Sequence, residues 1–164
     1  MSDIVTPQQR SKMMAKIRGK DTRPEIKIRQ LLFSHGLRFR LHRRDLPGTP
    51  DIVMKGIKVA IFVHGCFWHQ HVGCKLAARP SSNTDFWNRK LEANTQRDAQ
   101  ALVELAASGW RTLIIWECAT RKRCSDEVLY DAIRDWINGS DSVGEIPPSG
   151  GMVLPGNHIG SPVA

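Results

Sequence analysis

"TPDIVMKGIKVAIFVHG", residues 49 to 65, is the stretch that decides the fold. Two runs rich in Val and Ile flank Lys55-Gly56, a turn signal, and such runs suit the pleated interior of a sheet. It predicts two buried strands joined by a tight turn. Asp51 stands where a Pro-Asp turn leads into the first of them. A carboxylate there, with a main-chain carbonyl from the second strand near Val63, is the arrangement nucleases use to hold a magnesium ion, a hard cation that takes oxygen ligands. Taken alone, a Pro-Asp turn more often just caps a strand, and the lysine many nucleases carry on the second strand is absent. His64 and His69, close behind, are available for base work instead, because imidazole titrates near neutrality.

The elements outward from this hairpin complete a mixed α/β domain. Upstream, the alternation in "LRFRLHR" predicts a strand. "TRPE" has the Thr-x-x-Glu spacing of a capping box, so a helix starts near Thr22 and ends at Gly36. Thr6-Pro7 opens a basic helix running to Gly19. Downstream, Thr84 or Asp85 caps a long helix to Gly109, "WRTLIIWEC" is a strand, and Ser125 to Asn138 is a last helix stopped by Gly139. The expected result is a small sheet covered by helices.

Composition sets the outer limits. The chain has 164 residues, 41% hydrophobic, which suits one domain that buries a core without disulfides. Of 24 Lys+Arg, 12 fall in residues 1 to 44 beside only 3 of the 16 Asp+Glu, so this third carries all of the net +8. Charge confined to one segment points to a nucleic acid. The sequence contains neither a membrane-length apolar stretch nor a signal peptide, and a cytoplasmic protein is expected. Residues 138–164 hold 6 of the 13 glycines and 4 of the 9 prolines, a composition that predicts a disordered tail.

"HGCFWHQHVGC", residues 64 to 74, concentrates the remaining chemistry. Cys66, His71 and Cys74 are spaced so that one loop can wrap a zinc ion, whose tetrahedral site takes thiolate and imidazole. A fourth ligand is needed; Cys118, at a strand end, is favoured over Cys124. Phe67 and Trp68 sit beside a ligand and could be held outward as a wedge between base pairs. Trp87 and Met14 are further wedge candidates, although core packing is the more common fate of all four. Asp98, on the long helix, could orient an imidazole or be a solvated helix charge. Glu25 has a competing role in its capping box.

"SKMMAKIRGKDTRPE", "TPDIV", "FVHGCFWHQHVGC", "FWNRKLEANTQRDAQ" and "GWRTLIIWECA", in this order, closely resemble the very-short-patch-repair (Vsr) DNA mismatch endonucleases over roughly residues 6 to 137. The resemblance implies a restriction-endonuclease-like fold of the PD-(D/E)XK type, a catalytic Mg2+ and a structural Zn2+. It implies nicking of one strand 5′ of the thymine in a T:G mismatch, such as deamination of 5-methylcytosine leaves. By motif position Asp51 and the Val63 carbonyl match the magnesium ligands. His69 matches the general base, Asp98 the aspartate near it, and His64 and Glu25 the residues around the magnesium's waters. Cys66, His71, Cys74 and Cys118 match the zinc ligands, which leaves Cys124 a bystander. Phe67, Trp68 and Trp87 match aromatics that intercalate beside the mismatch, and Met14 a residue entering opposite them. A monomer acting on double-stranded DNA is implied, with other mismatch-repair proteins as further partners. Two departures stand out: His71 to Cys74 is one residue longer than His-x-Cys, and Val63 replaces a threonine. Two other readings remain: a related restriction-like or nicking endonuclease of different specificity, and a zinc-stabilised DNA-binding module without catalysis.

Overall fold

The computed structural model describes residues 6–16, 19–121 and 124–147. Its centre is the hairpin. β2 (Ile52–Met54) and β3 (Val59–His64) pair antiparallel, with Ile52 opposite Ile61 and Met54 opposite Val59. A 3-10 turn at Lys55–Ile57 joins them, and Lys58 takes the left-handed conformation at its end. All nine strand residues are buried, which is why both runs are apolar throughout instead of alternating.

β4 (Arg111–Trp116) lies parallel to β3, and β5 (Val143–Ile146) parallel to β4. With β1 (Arg40–Leu41) antiparallel to β2, the sheet order is β1-β2-β3-β4-β5. The result is a five-stranded mixed sheet flanked by helices, consistent with the restriction-endonuclease-like architecture. Side chains alternate between its faces. Val59, Ile61 and Val63, with Leu113 and Ile115, pack against Ile28, Leu31 and Leu32 of α2 (Arg23–Ser34) and Leu129 and Ile133 of α4 (Asp126–Asn138). Ala60, Phe62 and His64 point the other way, towards α3 (Thr84–Ala107), where Leu105 covers Ala60 and Phe62. The alternation sends Val63 and His64 to opposite sides of the sheet.

The caps follow from the sequence. In α1 (Pro7–Ala15) the Thr6 side chain accepts the Gln9 N–H, Gln9 accepts the Thr6 N–H in return, and Pro7 occupies the first turn. Ser125 caps α4. At α3 the predicted caps Thr84 and Asp85 are already helical; the preceding Asn83 adopts φ +53, a conformation asparagine tolerates better than most residues.

Two expectations are corrected. The strand predicted over residues 37 to 43 shrinks to Arg40–Leu41, because Leu37 and Phe39 satisfy the alternation by packing on the core without joining a ladder. The tail predicted from Asn138 does not leave the fold there. α4 hands the chain back to the sheet edge, where Ile146 pairs with Ile115 and is buried. Gly144 contributes to that compositional signal, yet its reason is packing: a Cβ there would overlap the Trp136 indole. Residues 148–164 lie outside the described residues.

Candidate active site

Asp51 enters the site where the "PGTPD" loop meets β2. The loop reaches it by pressing Gly48, at φ +72, so close to α3 that a Cβ would lie 2.7 Å from the Ala101 methyl. The Asp51 carboxylate accepts the Val63 N–H through Oδ2 at 2.8 Å, so the two residues expected to act together do sit together. Burial pushes the Asp51 pKa up to about 6; the Val63 hydrogen bond opposes this, and the nearby charge of Glu25 adds to it. A buried carboxylate facing a second one is a place where a cation lowers the energy.

Glu25 is itself buried and fully engaged. Thr22 Oγ1 donates to its Oε1 at 3.0 Å; the Asp21 N–H and Arg29 Nη2 both reach its Oε2 at 2.9 Å. The capping box is therefore modified: Thr22 accepts the Glu25 N–H, but Glu25 takes the amide of Asp21 instead of Thr22's own. Its helix-capping role is realised, and the same carboxylate lines the cavity beside Asp51.

That cavity, of about 1080 Å3, also holds His64, His69 and Asp98. Asp98, on α3, is hydrogen-bonded to His69 Nδ1 at 2.6 Å. An ionised carboxylate can only accept, so in the neutral imidazole the proton sits on Nδ1 and Nε2 carries the lone pair. His64 stacks on His69 at 3.8 Å between ring centroids, with 6° between planes. Burial, with His69 adding to it, drives the His64 pKa down to about 3, so His64 stays neutral at ordinary pH. The pairing depends on strand alternation: His64 shares the sheet face that α3 covers, and Asp98 is on α3.

On the far side of that loop, Cys66, His71, Cys74 and Cys118 converge, with one donor atom from each within 4.8 Å of the others. Tight turns bring them in: the His71 N–H reaches the Cys66 carbonyl and the Cys74 N–H the His71 carbonyl. Cys118 comes from a 3-10 turn directly after β4. His71 Nδ1 lies 3.7 Å from Cys66 Sγ and 3.5 Å from Cys118 Sγ. Tetrahedral zinc with ordinary Zn–S and Zn–N bonds requires about 3.6 Å between such atoms. The His71 ring is held by stacking on Trp116 at 4.3 Å. Burial pushes the Cys66 and Cys118 thiols upward; the hydrogen bond between the two opposes this at Cys118, while the neighbouring Cys74 adds to it at both. The donor set therefore fits zinc. Cys124 is outside the group, buried against α4's cap with its Sγ on the Ser125 carbonyl.

Phe67, Trp68 and Trp87 form one cluster, with ring centroids 5.1 to 6.0 Å apart. Phe67 and Trp68 are half-buried, and Trp68 also lines the cavity. Trp87 is only 7% exposed, so here it backs the other two instead of projecting. Met14 is half-buried on α1 and does not line the cavity. Sequence reasoning missed Phe86, 44% exposed at the cluster's edge, and Lys90, whose ammonium lies 5.3 Å from the Trp68 ring centre. It also missed His42, Arg29 and Asp21, which surround Glu25 and Asp51. Lys20, Arg44 and Arg97 on the cavity wall escaped individual notice. Lys20 and Arg44 were visible only as part of the basic N-terminal third.

Comparisons with known proteins place the chain in a family. Residues 2–75 match the sequence profile of the family described as "DNA mismatch endonuclease Vsr". The DNA mismatch endonuclease Vsr of Escherichia coli (strain K12) is 40% identical over 152 residues, 92% of this chain and 97% of that protein. The Type II nicking enzyme V.XorIIP of Xanthomonas oryzae pv. oryzae is 51% identical over 118 residues, 72% of this chain and 86% of that protein. V.NmeAIP, a Type II nicking enzyme of Neisseria meningitidis, is 41% identical over 123 residues, 75% of this chain and 87% of that protein. Kinship at that identity, extending over almost the full length of one relative, makes this chain a DNA endonuclease belonging to the Vsr family of DNA mismatch endonucleases.

Proposed function

We propose that this endonuclease nicks one strand on the 5′ side of the thymine in a T:G mismatch, initiating very short patch repair. The observation that carries the reading is one shared cavity: Asp51, the His69–Asp98 pair and the wedge residue Trp68 all line it. Hydrolytic groups and an aromatic that can enter a base stack thus address the same stretch of DNA. The E. coli relative is named for mismatches and the Xanthomonas relative for nicking, and both names agree with this reading.

Asp51 with the Val63 carbonyl, beside Glu25 and His64 in the same cavity, would hold a magnesium ion, which would supply polarisation of the scissile phosphate and stabilise charge on the leaving oxygen. His69 Nε2 takes the proton of the attacking water. Asp98 keeps the imidazole in the tautomer that can do so and stabilises it once charged. His64, neutral and stacked, holds the His69 ring in place. Lys20, Arg44 and Arg97 offer positive charge to the DNA backbone. Phe67 and Trp68 wedge into the step weakened by the mismatch, Trp87 supports or follows them, and Met14 enters from the opposite groove. Cys66, His71, Cys74 and Cys118 would hold a zinc ion, which would fix the loop that carries both wedge and base. We further propose a monomeric, cytoplasmic enzyme, nucleoid-associated, that hands its nick to other repair proteins.

End-labelled duplexes carrying T:G, with matched T:A controls, test the specificity. If opening a mismatched step is favoured by about 3 kcal/mol, T:G should be cut roughly 100-fold faster. Equal cutting of both duplexes would favour a nicking endonuclease of different specificity; mismatch binding without cutting would leave only a DNA-binding module. On the T:G duplex, His69→Ala should slow nicking by about 100- to 10,000-fold. Asp98→Asn, which keeps the size but not the charge, should cost about 10- to 100-fold. A His69→Ala variant nicking at the parent rate would remove it as the base.

A further inference from the structure

Gln70 stands between His69 and His71 and carries none of the roles proposed so far. The chain turns there at φ +53, a left-handed conformation uncommon outside glycine. Its side-chain amide makes three hydrogen bonds. Nε2 donates to the Phe67 carbonyl at 2.6 Å and to the Ala77 carbonyl at 3.3 Å, and Oε1 accepts from Arg79 Nε at 2.8 Å. Arg79 also donates through Nη1 to Asn88 Oδ1, 2.7 Å away on α3.

Hydrogen-bond chemistry gives this amide one orientation. A guanidinium has donors only, so the Gln70 oxygen faces Arg79; carbonyls only accept, so the NH2 faces Phe67 and Ala77. The three bonds join the start of the loop to the 3-10 turn at Lys75–Ala77. Through Arg79 they also tie it to Asn88, the residue after Trp87, and the Phe67 ring lies on Trp87 at 5.5 Å between centroids. Main chain and ring of Phe67 are thus both referred to the same turn of α3. The Trp68 carbonyl is held separately, by Asn94 Nδ2 at 3.1 Å. None of these bonds uses the side chain of Cys66, His71, Cys74 or Cys118, so this restraint is additional to their convergence.

We propose that Gln70, Arg79 and Asn88 are positioning residues that clamp the main chain at Phe67 before DNA arrives. The aromatic wedge then enters the base stack without the cost of first being ordered. The inference rests on the proposed wedge role of Phe67 and Trp68, but the clamp itself does not depend on it. Arg79 is exposed, and a bare positive charge there would simply draw phosphates. The clamp demands more: two donors on one planar fork that reach Gln70 and Asn88 together, which a lysine ammonium on its flexible stem does not reproduce.

Two measurements test it. The first is backbone hydrogen exchange on the full-length protein as purified, without DNA. Peptides within residues 65–79 should exchange about 3- to 10-fold faster in Gln70→Ala and Arg79→Ala than in wild type, the scale of one lost hydrogen bond, with metal content by atomic absorption unchanged. Wild-type exchange in both variants, or loss of metal from Arg79→Ala, would overturn the clamp. The second is equilibrium binding to T:G and matched T:A duplexes with magnesium omitted. The preference for T:G, as a ratio of Kd values, should fall about 3- to 10-fold in Gln70→Ala and equally in Arg79→Lys, which keeps the charge but not the fork. Asn88→Asp, still an acceptor for Arg79, should keep the preference that Asn88→Ala loses. Arg79→Lys matching wild type, or Asn88→Asp no better than Asn88→Ala, would overturn the positioning role. If wild type showed no preference for T:G at all, the mismatch reading would fail, while hydrogen exchange still decided the clamp.

Discussion

Asp51→Ala is expected to lower T:G nicking by about 1000-fold or more, because a cation at a reacting phosphate supplies several kcal/mol of transition-state stabilisation. The companion change, Asp51→Asn, should abolish nicking yet stabilise the fold. Burial raises the Asp51 pKa from 3.8 to about 6, so without magnesium the folded protein resists ionising it. The sign follows from linkage. Below pH 3.8 the group is protonated folded and unfolded, and it costs nothing. As pH rises towards 6 the unfolded chain loses the proton first, and stability falls; above 6 the full cost, about 2 to 3 kcal/mol, is present. Asparagine removes that cost and can still accept the Val63 N–H. Melting curves without added magnesium should therefore show Asp51→Asn more stable than wild type at pH 7.5 and close to it at pH 3.5. A variant less stable at pH 7.5 would refute the buried-charge account, and one that still nicked would remove Asp51 from the proposed ion site.

Cys118→Ala is expected to lose zinc and soluble folding together. Residues 65 to 83 contain one short 3-10 turn and no helix or strand, so this loop is held by side-chain contacts, among them the four converging ligands together with the His69–Asp98 pair and the packing of Phe67 and Trp68 on Trp87. Apparent free energies of structural zinc binding run to about 10 to 16 kcal/mol in small peptides, comparable to the whole stability of a domain. Leaving three ligands around a cavity built for four removes much of that. Cys124→Ala is the matched control. It also deletes a buried thiol, but one packed on α4, and it should keep zinc and lose only about 1 kcal/mol. Atomic absorption on the purified variants, with thermal melts, decides the matter. Full zinc content in Cys118→Ala, or its loss in Cys124→Ala, would overturn the assignment of the fourth ligand.

The candidate site was unevenly legible. Cys66, His71 and Cys74 were readable because one loop supplies all three, so their spacing reports their proximity. Cys118 was only favoured, since its approach depends on β4 lying beside β3. His69 and Asp98 are 29 residues apart and on different elements, and no local pattern distinguishes Asp98 from any other helix charge. His42 and Arg29 gave no signal at all. Their place beside Glu25 and Asp51 arises from α2 packing against the hairpin, a relation no short window of sequence contains.

The tail was misread for a related reason. Glycine and proline lower the expectation of order when counted over a window, but a four-residue edge strand needs only one open ladder and one apolar anchor. β4 supplies the ladder and Ile146 the anchor. By contrast, the turn at Lys55–Ile57, the caps at Thr6, Thr22 and Ser125, and the strands of the hairpin are decided by neighbours in the chain.

By itself, then, the sequence determined what local chemistry can determine: the hairpin strands and the helices, the caps at Thr6, Thr22 and Ser125, the three-ligand loop and the basic N-terminal third. Only the tertiary structure decided which faces meet. Strand alternation sends His64 towards α3 and Val63 towards α2 and α4, and the close approach at Gly48 carries the Asp51 loop to the same cavity. The physical reason is range. Hydrogen-bonded turns and caps are satisfied within a few residues, whereas a buried carboxylate, a histidine tautomer and a fourth thiolate take their character from groups that only packing brings within a few ångströms.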